Sequence, residues 1–171
     1  SITIANLKIE AGEKVAILGR NGAGKSTLLQ LLAGMQVPDT GTVKLDGLDL
    51  SLIDPSDVRR DIGLLNQNSH LFFGTVRENL TLGAPLATED EIQEALKMTG
   101  AQNITDSKKE GLEHQILEGG VGFSGGQRQA LLLSRLLLRQ PNILLLDEPT
   151  AYLDDVSEQN FIQQVKDWIG H

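Results

Sequence analysis

A glycine-rich octapeptide, GRNGAGKS at Gly19–Ser26, constrains this chain more than any other feature. It matches GxxxxGK[ST], a spacing whose glycines let backbone N–H groups turn inward around phosphate oxygens. The apolar run leading into it, KVAILG at Lys14–Gly19, has the pattern of a short buried strand. The stretch after it, Ser26 to Met35, places Leu28, Leu29, Leu31 and Leu32 at helical spacing, with Gly34 and Pro38 as stop signals. Strand, loop and helix in that order is what the loop chemistry requires. The helix aims the positive end of its dipole at the anion. Lys25 is expected to reach the β- and γ-phosphates of a nucleotide, and Ser26 to give its hydroxyl to Mg2+. The full cradle is expected to comprise Gly19, Arg20, Asn21, Gly22, Ala23, Gly24, Lys25, Ser26 and Thr27. The competing reading is a glycine-rich turn that only caps a helix.

Two later strings narrow the choice. ILLLDEP, Ile143–Pro149, is an apolar run that ends in two carboxylates. Four apolar residues in a row fit a central parallel strand, and ligands gather at the carboxyl ends of such strands. Asp147 is then a candidate Mg2+ ligand with Ser26. Glu148 points elsewhere, because strand side chains alternate, and is a candidate general base for water attacking the γ-phosphate. Alternatively, Asp-Glu-Pro only closes the strand with a turn. FSGGQ, Phe123–Gln127, stands at the head of an apolar helical stretch, Gly126 to Arg139. That stretch is apolar around most of its circumference and is expected to be buried on more than one face. Ser124 and Gln127 suit a capping box, but capping alone does not account for Gly125 and Gly126.

Composition sets bounds. A single domain is the prior for 171 residues, a length that buries about 70% of the unfolded surface. No apolar run approaches the ~18 residues of a membrane span. The opening residues lack a signal-peptide pattern. Cysteine is absent, which excludes disulfides and thiolate metal sites. The net charge of -8 argues against a nucleic-acid-binding face, which needs clustered Lys and Arg.

Elsewhere, Asp46-Gly47 turns a small antiparallel hairpin within TGTVKLDGLDL. Ile62 to Asn66 reads as a short strand leading into Gln67. Thr88 to Glu91 is a capping box opening a helix with Ile92, Ala95 and Leu96 on one side, and Gly100 stops it. A last helix, about Val156 to Ile169, aligns Phe161, Ile162, Val165, Trp168 and Ile169. Strand–loop–helix units plus one hairpin give an α/β fold.

FSGGQRQ resembles the LSGGQ signature of ABC ATPases, with Phe123 in place of the usual Leu. The resemblance covers essentially the whole chain. It implies one nucleotide-binding domain over residues 1–171 with the P-loop NTPase fold: a mostly parallel central sheet, a small antiparallel β subdomain and an inserted helical subdomain at about residues 75–130. It implies ATP and Mg2+ as cofactors. It also implies a head-to-tail dimer, in which Ser124, Gly125, Gly126 and Gln127 of one domain close over the nucleotide of the other. Gln67 occupies the Q-loop position and is expected to sense Mg2+ and the attacking water; an exposed loop amide is the plainer reading. AYLD, Ala151–Asp154, looks like a D-loop, although Ala151 and Tyr152 depart from the usual SALD. Asp154 also fits a helix N-cap.

LFFGTVRENLTLG, Leu71–Gly83, is similar to the segment after the Q-loop in exporters, and Glu118 takes the position that faces a transmembrane domain. The resemblance therefore implies a transmembrane partner contacted through Gln67–Gly83 and Glu118, no nucleic-acid partner, and a place on the cytoplasmic face of the inner membrane for an otherwise soluble domain. Gly119 and Gly120 resemble those of protein- and peptide-exporting systems of the type I secretion kind. Family domains extend further at both ends, with an adenine-stacking aromatic upstream and a switch histidine downstream; His171 is not expected to be that histidine. His70 and His114 are expected to be solvated. Apart from its dimer partner and transmembrane domain, the chain is expected to be a weak ATPase. The resemblance implies an exporter motor first; a soluble ATPase acting on nucleic acid or ribosomes, and a nucleotide-binding switch without efficient hydrolysis, are the alternatives.

Overall fold

The computed structural model describes residues 2–151 and 153–169, the side chains of Trp168 and Ile169 excepted. Tyr152 and His171, and the apolar-stripe roles of Trp168 and Ile169, lie outside the described residues. The chain divides into two compact units, Ser1–Arg59 and Arg60–His171.

In the first unit, α1 (Lys25–Leu32) follows the glycine-rich loop directly. Leu29 and Ala33 are buried, while Leu28, Leu31 and Leu32 are half-buried. Gly34 ends the helix at φ +67, with Gly34 N–H donating to Leu31 O and Met35 N–H to Gln30 O. This paired closure satisfies carbonyls of the last turn and needs the left-handed backbone that glycine adopts without strain. β1 (Lys44–Leu45) and β2 (Leu48–Asp49) form the expected hairpin. Asp46 and Gly47 both have positive φ, as a two-residue primed turn requires. α2 (Pro55–Asp61) follows, and its Val58 lies under Gly34.

The strand expected at Lys14–Gly19 is not formed. Val15 and Leu18 are 47% and 93% exposed. An apolar run carries strand propensity, but a strand exists only through a ladder partner. Among the described residues of this unit the only ladder is the β1–β2 hairpin.

The second unit holds the main core. β3 (Ile62–Leu65) pairs in parallel with β6 (Ile143–Leu146), in register from Ile62↔Ile143 to Leu65↔Leu146. Between them run β4 (Gly74–Thr75), α3 (Val76–Thr81), α4 (Glu89–Met98), α5 (Gln102–Asp106), β5 (Gln115–Ile116) and α6 (Gly125–Leu137); α7 (Asp155–Ile169) follows β6. β4 and β5 pair antiparallel. α3 and α4 open on equivalent capping boxes, Thr75 with Glu78 and Thr88 with Glu91. α6 is the hub. Leu131–Ser134 and Leu136–Leu138 are all buried, so the helix meets neighbours on several sides as its composition requires. Its Ser134 hydroxyl meets Thr99 Oγ1 at 2.6 Å, which satisfies two fully buried hydroxyls. On α7, Phe161 is buried, but Ile162 is 42% exposed rather than part of the apolar stripe. The two are neighbours in sequence, and a 3.6-residue period turns them about 100° apart. Among the described residues no helix is long and apolar enough to cross a membrane.

Candidate functional site

The glycine-rich loop lies in the first unit. Lys25, the first residue of α1, folds its ammonium back over the loop and donates to Gly19 O at 3.0 Å and Arg20 O at 3.4 Å. Gly24 holds the helix N-cap at φ 93, where a non-glycine residue is strained, and makes no side-chain cap bond. The first N–H groups of α1 therefore keep the donor capacity that an anion uses. A Cβ on Gly19 would stand 3.2 Å from that of Ala23, so the loop closes tightly on itself. Arg20, Asn21, Gly22, Ala23 and Ser26 are exposed, while Gly24, Lys25 and Thr27 are half-buried.

The carboxylates lie in the second unit. The Asp147 N–H donates to Leu65 O at 2.9 Å and extends the β3–β6 ladder by one bond. Asp147 is 7% exposed. Glu148 then leaves the ladder with φ +46, a conformation costing about 1–3 kcal/mol for a non-glycine residue and concentrated at functional sites. Across the strand pair, 81 residues away in sequence, Gln67 Nε2 donates to Glu148 Oε2 at 3.2 Å. Ser69 steadies the loop behind Gln67, its hydroxyl bonding Asn66 N–H at 3.2 Å and Asn66 Oδ1 at 3.1 Å. Gln67, Asp147, Glu148, Gly119, Gly125 and Arg128 share one cleft of 140 Å³. Arg128 is the member that no spacing singled out, although it directly follows the signature string.

Ser124 and Gln127 are engaged at the head of α6. Gln127 N–H donates to Ser124 Oγ at 3.2 Å and Ser124 N–H to Gln127 Oε1 at 2.9 Å, a complete capping box. Gly126 has a packing reason of its own: a Cβ there would meet Ser157 Oγ at 2.8 Å. Phe123 is buried, so the swap from Leu keeps the apolar contact. His70 is exposed, but His114 is half-buried, its ring 6.0 Å from that of Phe123 and its Nδ1 3.4 Å from Glu110. The His114 side chain keeps 26% exposure, so the ring is partly solvated rather than fully solvated as expected. Glu118 is exposed.

Asp154 caps α7. Its carboxylate accepts from Ser157 N–H at 3.0 Å and Ser157 Oγ at 2.9 Å. The Ser157 backbone bond, then its hydroxyl, hold the Asp154 carboxyl below the usual carboxylate range. A folded pKa below the unfolded one means that the cap contributes fully above the ordinary carboxylate pKa and fades as pH falls through the folded value. Carbon-13 NMR titration is expected to place the Asp154 midpoint below that of an unstructured aspartate. A midpoint at or above the unstructured value would contradict the capping geometry.

A family model described as ABC transporter matches residues 2–151. Over 161 residues the chain is 42% identical to a Rickettsia typhi protein provisionally named an export ATP-binding/permease protein, covering 94% of this chain and 28% of that one. Over 153 residues it is 42% identical to the alpha-hemolysin translocation ATP-binding protein of Escherichia coli, covering 90% of this chain and 22% of that one. Among solved structures, a bacterial Atm1-family ABC exporter with ATP bound matches at 33% identity with a TM-score of 0.86, over 93% of this chain and 28% of that chain. That likeness shows the α/β P-loop NTPase fold. The chain spans between 22% and 28% of the length of these proteins.

Proposed function

Since the chain belongs to the ABC transporter family, we propose that it is the ATP-binding and ATP-hydrolysing motor of an exporter, moving protein or peptide across a membrane. One observation carries the chemical part of this reading. Gln67 and Glu148 are hydrogen-bonded at the carboxyl ends of paired parallel strands, beside Asp147.

In this reading residues 19–27 cradle the phosphates, with Lys25 exchanging loop carbonyls for phosphate oxygens. Glu148 takes a proton from the attacking water, and Gln67 orients that water. Ser26, Asp147 and Gln67 would hold Mg2+. Their hydroxyl, carboxylate and amide oxygens are the hard donors that ion takes, and it needs few protein ligands when phosphates supply the rest. Mg2+ bound there would neutralise charge on the phosphates.

Ser124, Gly125, Gly126 and Gln127 would meet the nucleotide of a second copy, so that hydrolysis needs a head-to-tail dimer. Apart from that partner the chain would turn over slowly, because association must overcome several kcal/mol of lost translational and rotational freedom. A transmembrane domain would dock through Gln67–Gly83 and Glu118. Phe72 and Phe73 support that surface, being 44% and 73% exposed on a braced turn. The site would then face the cytoplasm. The relative named for alpha-hemolysin translocation supports the choice of protein or peptide as cargo.

Phosphate release by the exporter containing this chain, reconstituted in vesicles, tests the reading. Turnover with Mg-ATP is expected at about 1 s⁻¹ or faster, with near-complete loss when the metal is chelated. Turnover indifferent to chelation, or absent altogether, would overturn it.

A further inference from the structure

One polar cluster in the second unit has no part in the chemistry above. Asn79, on α3, is only 3% exposed. Its Oδ1 accepts from Phe72 N–H at 2.9 Å, and its Nδ2 donates to Phe72 O at 2.9 Å and Thr75 O at 3.0 Å. Arg135, on α6, completes the cluster. Its Nη2 donates to Asn79 Oδ1 at 2.8 Å, its Nε to the Asn79 carbonyl at 2.8 Å, and its Nη1 to His70 O at 3.1 Å. The guanidinium also stands 5.2 Å from the centroid of the Phe72 ring.

This is an unusual use of a charge. Among the described residues, its three hydrogen bonds all go to neutral oxygens, and burial pulls the Arg135 pKa down. Removing a guanidinium from water without a carboxylate partner is unfavourable. A leucine, which fills most neighbouring positions of α6, would occupy the space without that cost. What only a planar fork does is hold several acceptors in one fixed geometry. The acceptors here are the backbone at His70 and both the side chain and backbone of Asn79, which in turn grips the backbone at Phe72. The gripped segment carries Gln67 just before it and the exposed Phe72–Phe73 tip within it. The helix that grips it carries Ser124 at its N-cap, about three turns away.

We infer that Arg135 and Asn79 are positioning residues of the transport cycle. They lock the Gln67 loop and the Phe72–Phe73 tip onto α6, so that displacement of the tip by a docked partner moves Gln67 and the Ser124 end of α6 as one body. The inference rests on the exporter reading above and names how force from that partner reaches the site.

The test uses the whole exporter in vesicles, measuring transport and phosphate release together. Arg135→Lys keeps the charge and loses the fork. Asn79→Asp keeps the acceptor for Phe72 N–H and loses both Nδ2 donations. Each is expected to lower the number of substrate molecules moved per ATP cleaved by about tenfold, with the KM for ATP within about twofold of the unaltered protein. The paired variant, which places Lys against Asp, is expected to recover part of the ratio. A purely structural role would lower transport and hydrolysis in proportion to the folded fraction and leave the ratio alone, and that result would overturn the inference.

Hydrogen exchange on the unaltered exporter gives a reading independent of variant folding. The Phe72 amide is expected to open together with the amides of α6, and separate, faster opening would overturn the inference as well. An unaltered exporter without ATP-driven transport sinks the exporter reading and this inference with it. One that transports, beside variants of unchanged ratio, sinks the inference alone.

Discussion

Glu148→Gln is expected to leave ATP binding intact and to slow phosphate release by about 10²-fold or more, the usual worth of a positioned base. The geometry makes this substitution a clean probe. Gln67 donates its amide N–H to Glu148 Oε2, and a glutamine oxygen at 148 accepts the same bond. The positive-φ backbone at this position is no harder for glutamine than for glutamate, since both branch alike beyond Cβ. The side chain is exposed, so no buried charge is stranded. What is lost is the capacity to take a proton from water. The variant is also expected to accumulate a nucleotide-bound dimer, because the ligand bridging the two copies is no longer cut. Single-turnover phosphate release, paired with equilibrium ATP binding, checks both parts. Normal turnover would remove Glu148 from the base role.

The second large effect is expected on binding. Lys25→Ala removes an ammonium poised over the loop at Gly19 O and Arg20 O. In the nucleotide complex the same ammonium is expected to turn to phosphate oxygens. A hydrogen bond to a charged group contributes about 1.5–3 kcal/mol. Two of them correspond to a rise in the ATP dissociation constant of roughly 10²–10⁴-fold. The fold should not suffer, since the exposed carbonyls left behind are taken up by water. Calorimetric titration with Mg-ATP and a thermal melt of the same sample separate these outcomes. Unchanged affinity in a folded variant would show that Lys25 does not hold the phosphates.

Much of this was legible in the order of the residues alone. The hairpin at Asp46-Gly47, the box at Thr88–Glu91, the strand ending in Asp147 and the helix opening at Ser124 all depend on residues within four positions of one another. Turn dihedrals, caps and side-chain periodicity act at that range, so the order of residues determines them directly. The box at Thr75–Glu78 carries the same signal as the one at Thr88–Glu91, and it marks α3 equally well. The sequence by itself also determined which chemistries were possible: the only cations in the loop are Arg20 and Lys25, and no thiol is present.

The tertiary structure decided which of those local pieces acquire partners. Lys14–Gly19 has the composition of a strand and forms none, because a ladder needs a second chain segment that composition does not name. Gln67 and Glu148 meet across 81 residues only because β3 and β6 pair in one particular register. Arg135 reaches Asn79 and His70 across 56 and 65 residues because α6 packs against α3. Even the backbone at Glu148 is set from outside, since an isolated chain would not hold a glutamate at positive φ. Local rules fix what each segment is able to do; the register of a strand pair and the packing of one helix fix which segments act together, because those contacts join residues that are far apart in the chain.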